Sequence, residues 1–454
     1  MNRQKTAALQ DRRPRRSKTD DRCAPRQVRN RWEARGASSS CLLSSVWQRS
    51  ALLSLLKSCV LCLACGLAGA APPDETAAPV PLPPVTRDSL DQAIRRGVDF
   101  LLADQNKNGS WGGATQTKDL NIFAPLPGGH QAFRAGASGL ALAGLIDAAD
   151  SRPAVAAAIA RAAAWTAAEL PNLRRTSQDC TYNCWGHAYG LRAISRLYQR
   201  EPDATKRAAW LRLAQQQVDF AGSSEDVNGG WGYLDVFDGL TTQKPSGMPT
   251  AFTTATMLLA MAEARSIMGV SLNDKLIKHS LASINYQRTP DFCYTYSFQH
   301  RYRPRVDINR PAGSLARSQA CNASLRVFGD AAVTDPVLTT WADRFLAREG
   351  FLSNGRKRPV PHEAQFRIAG YFYYYGIYYF TESVRLLPKP THPAYARRLA
   401  AIILSHQEKD GSWWDYPLYN YHRPYGTGYA LMALAWCRDA LAAAPQEQLP
   451  AASQ

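Results

Sequence analysis

The chain has 454 residues, 45% of them hydrophobic and 20% charged, a balance that suits a folded globular protein and excludes a disordered one. Its net charge of +17 points to nucleic acid only until its distribution is read. Residues 1–70 hold 14 Lys and Arg against 4 Asp and Glu, which leaves 40 against 33 in the remainder. That mildly basic remainder suits an anionic ligand and argues against a nucleic-acid partner.

In chain order, residues 1–70 read as a basic leader and export signal. A basic stretch runs to Lys57, a short apolar run follows over Ser58–Leu67, and Ala68-Gly69-Ala70 supplies a small-residue site, so cleavage is expected after Ala70. The mature protein is then periplasmic or secreted, and it touches a membrane only through an uncleaved leader. No later segment is long and apolar enough to span a bilayer. Residues 71–88 form a Pro/Ala linker. Five of the ten cysteines fall in the leader, and Cys180, Cys184, Cys293, Cys321 and Cys437 are too few and too scattered for a disulfide scaffold.

From residue 89 to 441 helical periodicity alternates with loops, without any series of strands and hairpins. Twelve helices are expected in six pairs. The first members span about 89–104, 153–170, 204–220, 273–287, 335–348 and 392–407. The second members span about 135–149, 184–199, 249–268, 313–328, 367–386 and 424–441. First members carry charges on one face, whereas second members, such as TAFTTATMLLAMA at 250–262, are apolar or small nearly all round and must be buried. Six buried helices alternating with six half-exposed ones describe an all-α (α/α)6 double barrel, a toroid. The loops within each pair are long and those between pairs short, so the long loops gather at one end, where sites are usually built. Residues 442–454 are a flexible tail.

One pattern recurs about 300 residues apart. Arg96-Gly97-x-x-Phe100-Leu101-x-x-x-Gln105-x-x-x-Gly109-x-Trp111 returns over residues 398–413 with Gln407, Gly411 and Trp413, and a weaker copy ends at Gly229-Gly230-Trp231. It resembles the QW repeat of squalene and oxidosqualene cyclases. The chain is therefore similar, over 89–441, to the toroid superfamily of terpenoid cyclases and protein prenyltransferases. The resemblance implies the toroid fold and an apolar or isoprenoid ligand. It does not carry a mechanism, because the Asp-x-Asp-Asp acid of the cyclases and the full zinc set of the prenyltransferases are missing. Physically, Gln satisfies open backbone groups at a helix end, Gly permits the turn, and Trp packs over it.

Candidate chemistry gathers on the long-loop end, where five of the eight histidines fall: His130, His187, His300, His362 and His422. Asp179, Cys180, Cys184 and His187 form the densest ligand-type string, with His422 as a further, remote donor. Zinc is the possible cofactor there, and a Cys180–Cys184 disulfide or plain packing are the alternatives. His187, His422, Tyr421 and Tyr425 are candidate acid–base groups. Arg303, Arg305, Arg317 and Arg423 are candidate anion ligands. Tyr374 and Tyr378, on the aromatic run 371–380, are candidate cavity walls. Three function classes follow: an exported isoprenoid-handling toroid that binds a ligand in its cavity, a polysaccharide lyase or hydrolase using His, Tyr and Arg on a glycan, and a non-catalytic scaffold. The oligomeric state is open.

Overall fold

The computed structural model describes residues 82–118, 127–177, 180–235, 244–245 and 248–443. The expected leader with its cleavage point after Ala70, most of the linker, Asp179 and residues 444–454 lie outside them.

Thirteen α-helices occur among the described residues. Six form an outer layer: α1 (Arg87–Asp104), α3 (Pro153–Glu169), α5 (Ala204–Ser223), α7 (Asp274–Gln287), α9 (Asp335–Ala347) and α12 (His392–Ser405). Six form an inner layer: α2 (Pro127–Ala148), α4 (Asn183–Arg200), α6 (Ala251–Met268), α8 (Leu315–Val327), α11 (Phe372–Val384) and α13 (His422–Ala442). The remaining helix, α10 (Glu349–Gly355), is a short insertion in the fifth long loop. Extended pairing is limited among the described residues to three isolated bridges.

The inner helices close into a ring. Each packs on the next, α2 on α4, α4 on α6, α6 on α8, α8 on α11 and α11 on α13, and α13 returns to α2. This is the (α/α)6 double barrel. Its cause is compositional. The inner helices are mostly small or apolar all round, and Leu315–Leu325 of α8 is buried without a break because its Arg317, Gln319 and Asn322 find hydrogen-bond partners inside, while each outer helix buries one stripe. Helix starts follow local chemistry: Thr86 and Ser89 make a capping box on α1, and Asp203, Thr250 and Asn273 cap α5, α6 and α7. Two boundaries move from expectation. α2 begins at residue 127 instead of 135, and α11 at residue 372 instead of 367, because Phe366 and Arg367 have positive φ and interrupt the helical run.

The recurring turns fasten the ring. Gln105 donates through Nε2 to Gly109 O (3.0 Å) in its own turn and to Ala158 O (2.9 Å) on the next outer helix, α3. Gln407 does the same to Gly411 O (3.0 Å) and to Ala93 O (2.9 Å) on α1, tying the last pair to the first. Gly109 and Gly411 have φ of +93° and +88°, and a side chain on either would strike the neighbouring outer helix at Arg161 O or Arg96 O. Trp111, Trp231 and Trp413 are buried, and each indole donates back to its own outer helix, at Leu101 O, Ala221 O and Ile403 O. In the third pair the Gln position, six residues before the Trp, is held by Glu225, which bonds His279 and Ser280 on α7. Gln217 instead reaches back to Leu170 O.

Charge floors the barrel at its short-loop end. Buried Arg192 on α4 meets Glu263 on α6 (2.7 Å), Glu382 on α11 (3.1 Å) and the Tyr378 hydroxyl (2.6 Å). Arg196, one turn on, pairs with Asp147 on α2 and with Glu263. Burying these cations is costly, and the carboxylate partners offset that cost.

Candidate active site

At the long-loop end the inner ring opens into an aromatic cavity of about 200 Å³. The first two pairs contribute Phe133, Leu140, Tyr182, Trp185 and Tyr189, and the third contributes Tyr233 and Phe252. The opposite wall is His362, Tyr371, Phe372 and Tyr375, then Tyr416, Tyr421, Tyr425 and Tyr429 from the last pair. No carboxylate lines it among the described residues. The position of the wall follows from topology: most of these residues lie in long loops or in the first turns of inner helices.

Two polar pairs stand in that wall. His362 Nδ1 donates to Arg367 O (2.7 Å), which leaves Nε2 as a lone pair that accepts from the Tyr371 hydroxyl (3.0 Å). Tyr371 also meets the Tyr296 hydroxyl (3.1 Å), which in turn bonds Tyr233, so a short hydroxyl chain ends on the histidine. Burial, with Arg317 nearby, holds the His362 imidazole below its usual pKa and therefore neutral. His362, Phe366 and Arg367 all have positive φ (63°, 56° and 55°), local strain that the surrounding packing imposes on this loop. The second pair is Tyr425, whose hydroxyl donates to buried Asp415 at 2.6 Å.

Cations stand behind the rings. Lys118 lies 4.4 Å over the Tyr416 ring and donates to its hydroxyl. Arg317 is fully buried 5.5 Å from the Tyr296 ring and 5.6 Å from Phe372. It donates to the carbonyls of Gly313, Tyr294 and Ile308 and forms no salt bridge among the described residues. Its charge is thus left to act on the Tyr296–Tyr371 wall.

The structure brings together only some of the residues singled out from sequence. Tyr421 and Tyr425 line the cavity. His187 does not: it faces outward, giving Nδ1–H to Gln217 Oε1 (2.8 Å) and accepting from Asn183 (3.3 Å). His422 is also turned away, donating to Tyr419 O and stacking edge-on against Trp414. Burial lowers both imidazoles to about 4. The described members of the possible zinc set do not converge: the Cys184 thiol donates to Gly232 O (3.3 Å), and both His187 nitrogens are engaged by Gln217 and Asn183. Among the described residues no three His, Cys, Asp or Glu side chains converge to hold a metal ion. A Cys180–Cys184 disulfide is likewise corrected.

Arg303 and Arg305 are exposed on the fourth long loop, and Arg423 pairs with Asp410 at 2.7 Å. None of the three lines the cavity. On α11 the face is rotated from expectation: Tyr371, Phe372 and Tyr375 look into the cavity. Tyr374 instead packs against Tyr373, its backbone on Asp415, and Tyr378 joins the charged floor. Asp415 escaped the sequence reading altogether. Its signal was a carboxylate set in an aromatic run, Trp413-Trp414-Asp415-Tyr416, directly after a repeated turn.

No protein-family model and no curated protein matches this chain. Among solved structures, a cellobiose 2-epimerase from Spirochaeta thermophila is similar with a TM-score of 0.50 and 15% identity, covering 78% of this chain and 96% of that one. A possible member of the GH105 family from Salmonella enterica has a TM-score of 0.46 and 13% identity over 82% of this chain and 99% of that one. A polysaccharide lyase has a TM-score of 0.46 and 11% identity over 80% and 100%. The epimerase shows the shared fold. The resemblance to terpenoid cyclases and protein prenyltransferases, with its QW-repeat label, is corrected: the structure that shares the fold is an epimerase, not a cyclase. The physical reason lies in the turn itself. Gln, Gly and Trp fasten consecutive helix pairs, so their recurrence reports a closed ring and not a chemistry.

Proposed function

We propose that the protein binds a saccharide in the aromatic cavity and cleaves it by lyase-type elimination. The observation that carries this reading is the Tyr371–His362 pair. A neutral imidazole, fixed by the Arg367 carbonyl with its free lone pair on Tyr371, takes up a proton that the phenol draws from substrate. The phenol alone would be a poor base, since burial raises its pKa well above the usual value, and the histidine behind it supplies the missing basicity.

Further features fit. Aromatic walls stack on the apolar faces of pyranose rings, and the tyrosine hydroxyls meet their edges. The buried Arg317 guanidinium behind Tyr296 and Phe372 offsets negative charge that develops on the substrate beside the pair. Hydrolysis by the two-carboxylate route requires a pair of acids facing the bond, and no carboxylate lines the wall among the described residues. The barrel is also the scaffold of a cellobiose epimerase and a polysaccharide lyase.

The test is a screen of uronate-containing and neutral polysaccharides for unsaturated products by ultraviolet absorbance, with reducing ends counted in parallel. The wild type should give unsaturated ends. Tyr371→Phe and His362→Ala should each lower the rate by about 10²–10⁴-fold without changing the circular dichroism. New reducing ends without unsaturation would replace elimination by hydrolysis.

A further inference from the structure

The Tyr425–Asp415 pair has no role in the proton abstraction just described, yet it stands in the same wall. Tyr425 lines the cavity from the first turn of α13. Behind it Asp415 has 0% exposure, and its carboxyl accepts from the Tyr425 hydroxyl on Oδ1 (2.6 Å), the Tyr374 backbone amide on Oδ2 (2.9 Å) and the Tyr416 backbone amide, donors that favour its ionised form and that burial outweighs. It forms no salt bridge among the described residues, in contrast to Arg192 and Arg196 at the floor. The charged groups facing it are few. Arg356, from the end of α10, acts on it at a distance, and Lys118 lies across the Tyr416 ring. The two pairs are joined through Tyr416: its ring lies 5.5 Å from that of Tyr371, and its carbonyl is 3.4 Å from the Tyr425 hydroxyl.

We infer that Asp415 stores a proton which Tyr425 delivers to the departing oxygen of the substrate, so that one cavity holds a base pair and a separate acid pair. The inference rests on the saccharide reading above. Tyr371 takes the proton from a substrate carbon and passes its own to His362 Nε2, so a C–H bond breaks and its electrons form the new C=C bond. The bond to the departing oxygen breaks, and that oxygen keeps the electron pair. It gains a proton from the Tyr425 hydroxyl, which is refilled from the Asp415 carboxyl. The enzyme is left with His362 protonated and Asp415 ionised, and exchange with water restores both. Burial pushes the Asp415 carboxyl up to about 7, so a filled store is populated at neutral pH. When filled, the carboxyl can donate to Tyr425 and free the phenol hydrogen for the cavity.

Asp415→Asn keeps an acceptor for Tyr425 but cannot pass on a proton, and Tyr425→Phe removes the relay. On a polysaccharide substrate both variants should lose about 100-fold or more. On a matched uronate whose departing sugar is replaced by an aryl ether, which leaves without protonation, both should lose far less, while His362→Ala loses both substrates. The alkaline limb of the rate profile, set by the filled carboxyl, should disappear in Asp415→Asn. Equal losses on the two substrates, or an unchanged alkaline limb, would overturn the inference. An arm that needs no turnover is a carboxyl-carbon NMR titration of aspartate-labelled protein. Beside the Asp104 signal at about 6, a carboxyl titrating at about 7 in the wild type should be absent in Asp415→Asn and shift in Tyr425→Phe. If no glycan is cleaved the saccharide reading fails, and the titration still decides whether Asp415 holds the proton; a midpoint in the ordinary carboxylate range overturns that as well.

Discussion

His187 shows how a residue with the look of a ligand becomes structural. Its imidazole is 1% exposed, and its two nitrogens are used by Gln217 and Asn183, so it spans from an inner helix to an outer one as a neutral group. Its folded pKa of about 4 lies below the value near 6.5 expected when unfolded. Between those values the unfolded chain binds a proton that the folded one refuses. Stability is therefore lost as pH falls from about 6.5 to about 4, by at most about 3 kcal/mol from this residue. His422 acts in the same sense. Asp415 and Asp104, held protonated up to about 7 and about 6, act in the opposite sense, because folding favours their protonated forms. The whole-protein slope mixes these contributions, and a variant isolates one of them. Urea unfolding of His187→Asn between pH 7 and pH 4.5 should show a loss of stability smaller than that of the wild type by about 1–3 kcal/mol. Equal losses would mean that His187 is not a buried neutral group. Residue types alone could not separate His187 from His362, since both precede or open an inner helix. What separates them is the direction each ring takes, and that depends on the rotation of α4 and on strained backbone near residue 362.

At the scale of elements, the Gln–Gly–Trp turn is the feature that sequence carries most plainly and whose meaning structure changes. A Gly with φ near +90° lets the chain lie flat against the next outer helix, and Gln then bonds a carbonyl of that helix. The Trp413 ring packs against Gly97 of α1, leaving no room there for a side chain. The sixth turn thus docks on the first outer helix as the first turn docks on the second. Gly411→Ala should cost about 2 kcal/mol or more through backbone strain and the clash with Arg96 O. Trp413→Ala should cost about 3–5 kcal/mol from lost burial. Gln407→Ala should cost about 1–3 kcal/mol, since Ala93 O and Gly411 O both lose a donor. Denaturant unfolding monitored by circular dichroism measures all three. A Gln407→Ala variant as stable as the wild type would show that the turn is held by the indole alone. The inner helices were readable for a similar reason, because buried composition leaves little choice of face. On α11, an aromatic at nearly every position removes the contrast that marks a face, so Tyr374 and Tyr378 could not be told from Tyr371 and Tyr375.

For the whole molecule, closure distinguishes a toroid from an open stack of helix pairs. In an open stack each pair needs only its neighbours, and removing the last pair leaves a shorter folded protein. Here the last pair has two neighbours: α13 packs on α11 and also on α2, and α12 reaches α1. The sequence implied closure only by the count of six and by the similarity of the first and last turns; nothing local in it says that residue 407 bonds residue 93. The cavity depends on closure too. Tyr416, Leu418, Tyr421, Tyr425 and Tyr429 all come from the sixth pair, so the wall that faces Phe133 and Tyr182 exists only when the ring is shut. Ending the chain after Leu387 should therefore expose apolar faces of α2 and α11 together and abolish cooperative unfolding, instead of lowering stability in proportion to the length removed. Supplying residues 388–443 as a separate chain should restore a cooperative transition if the ring can close from two pieces. A truncated protein that stays monomeric and unfolds in one sharp step would mean that five pairs suffice, and that closure serves the cavity and not the fold.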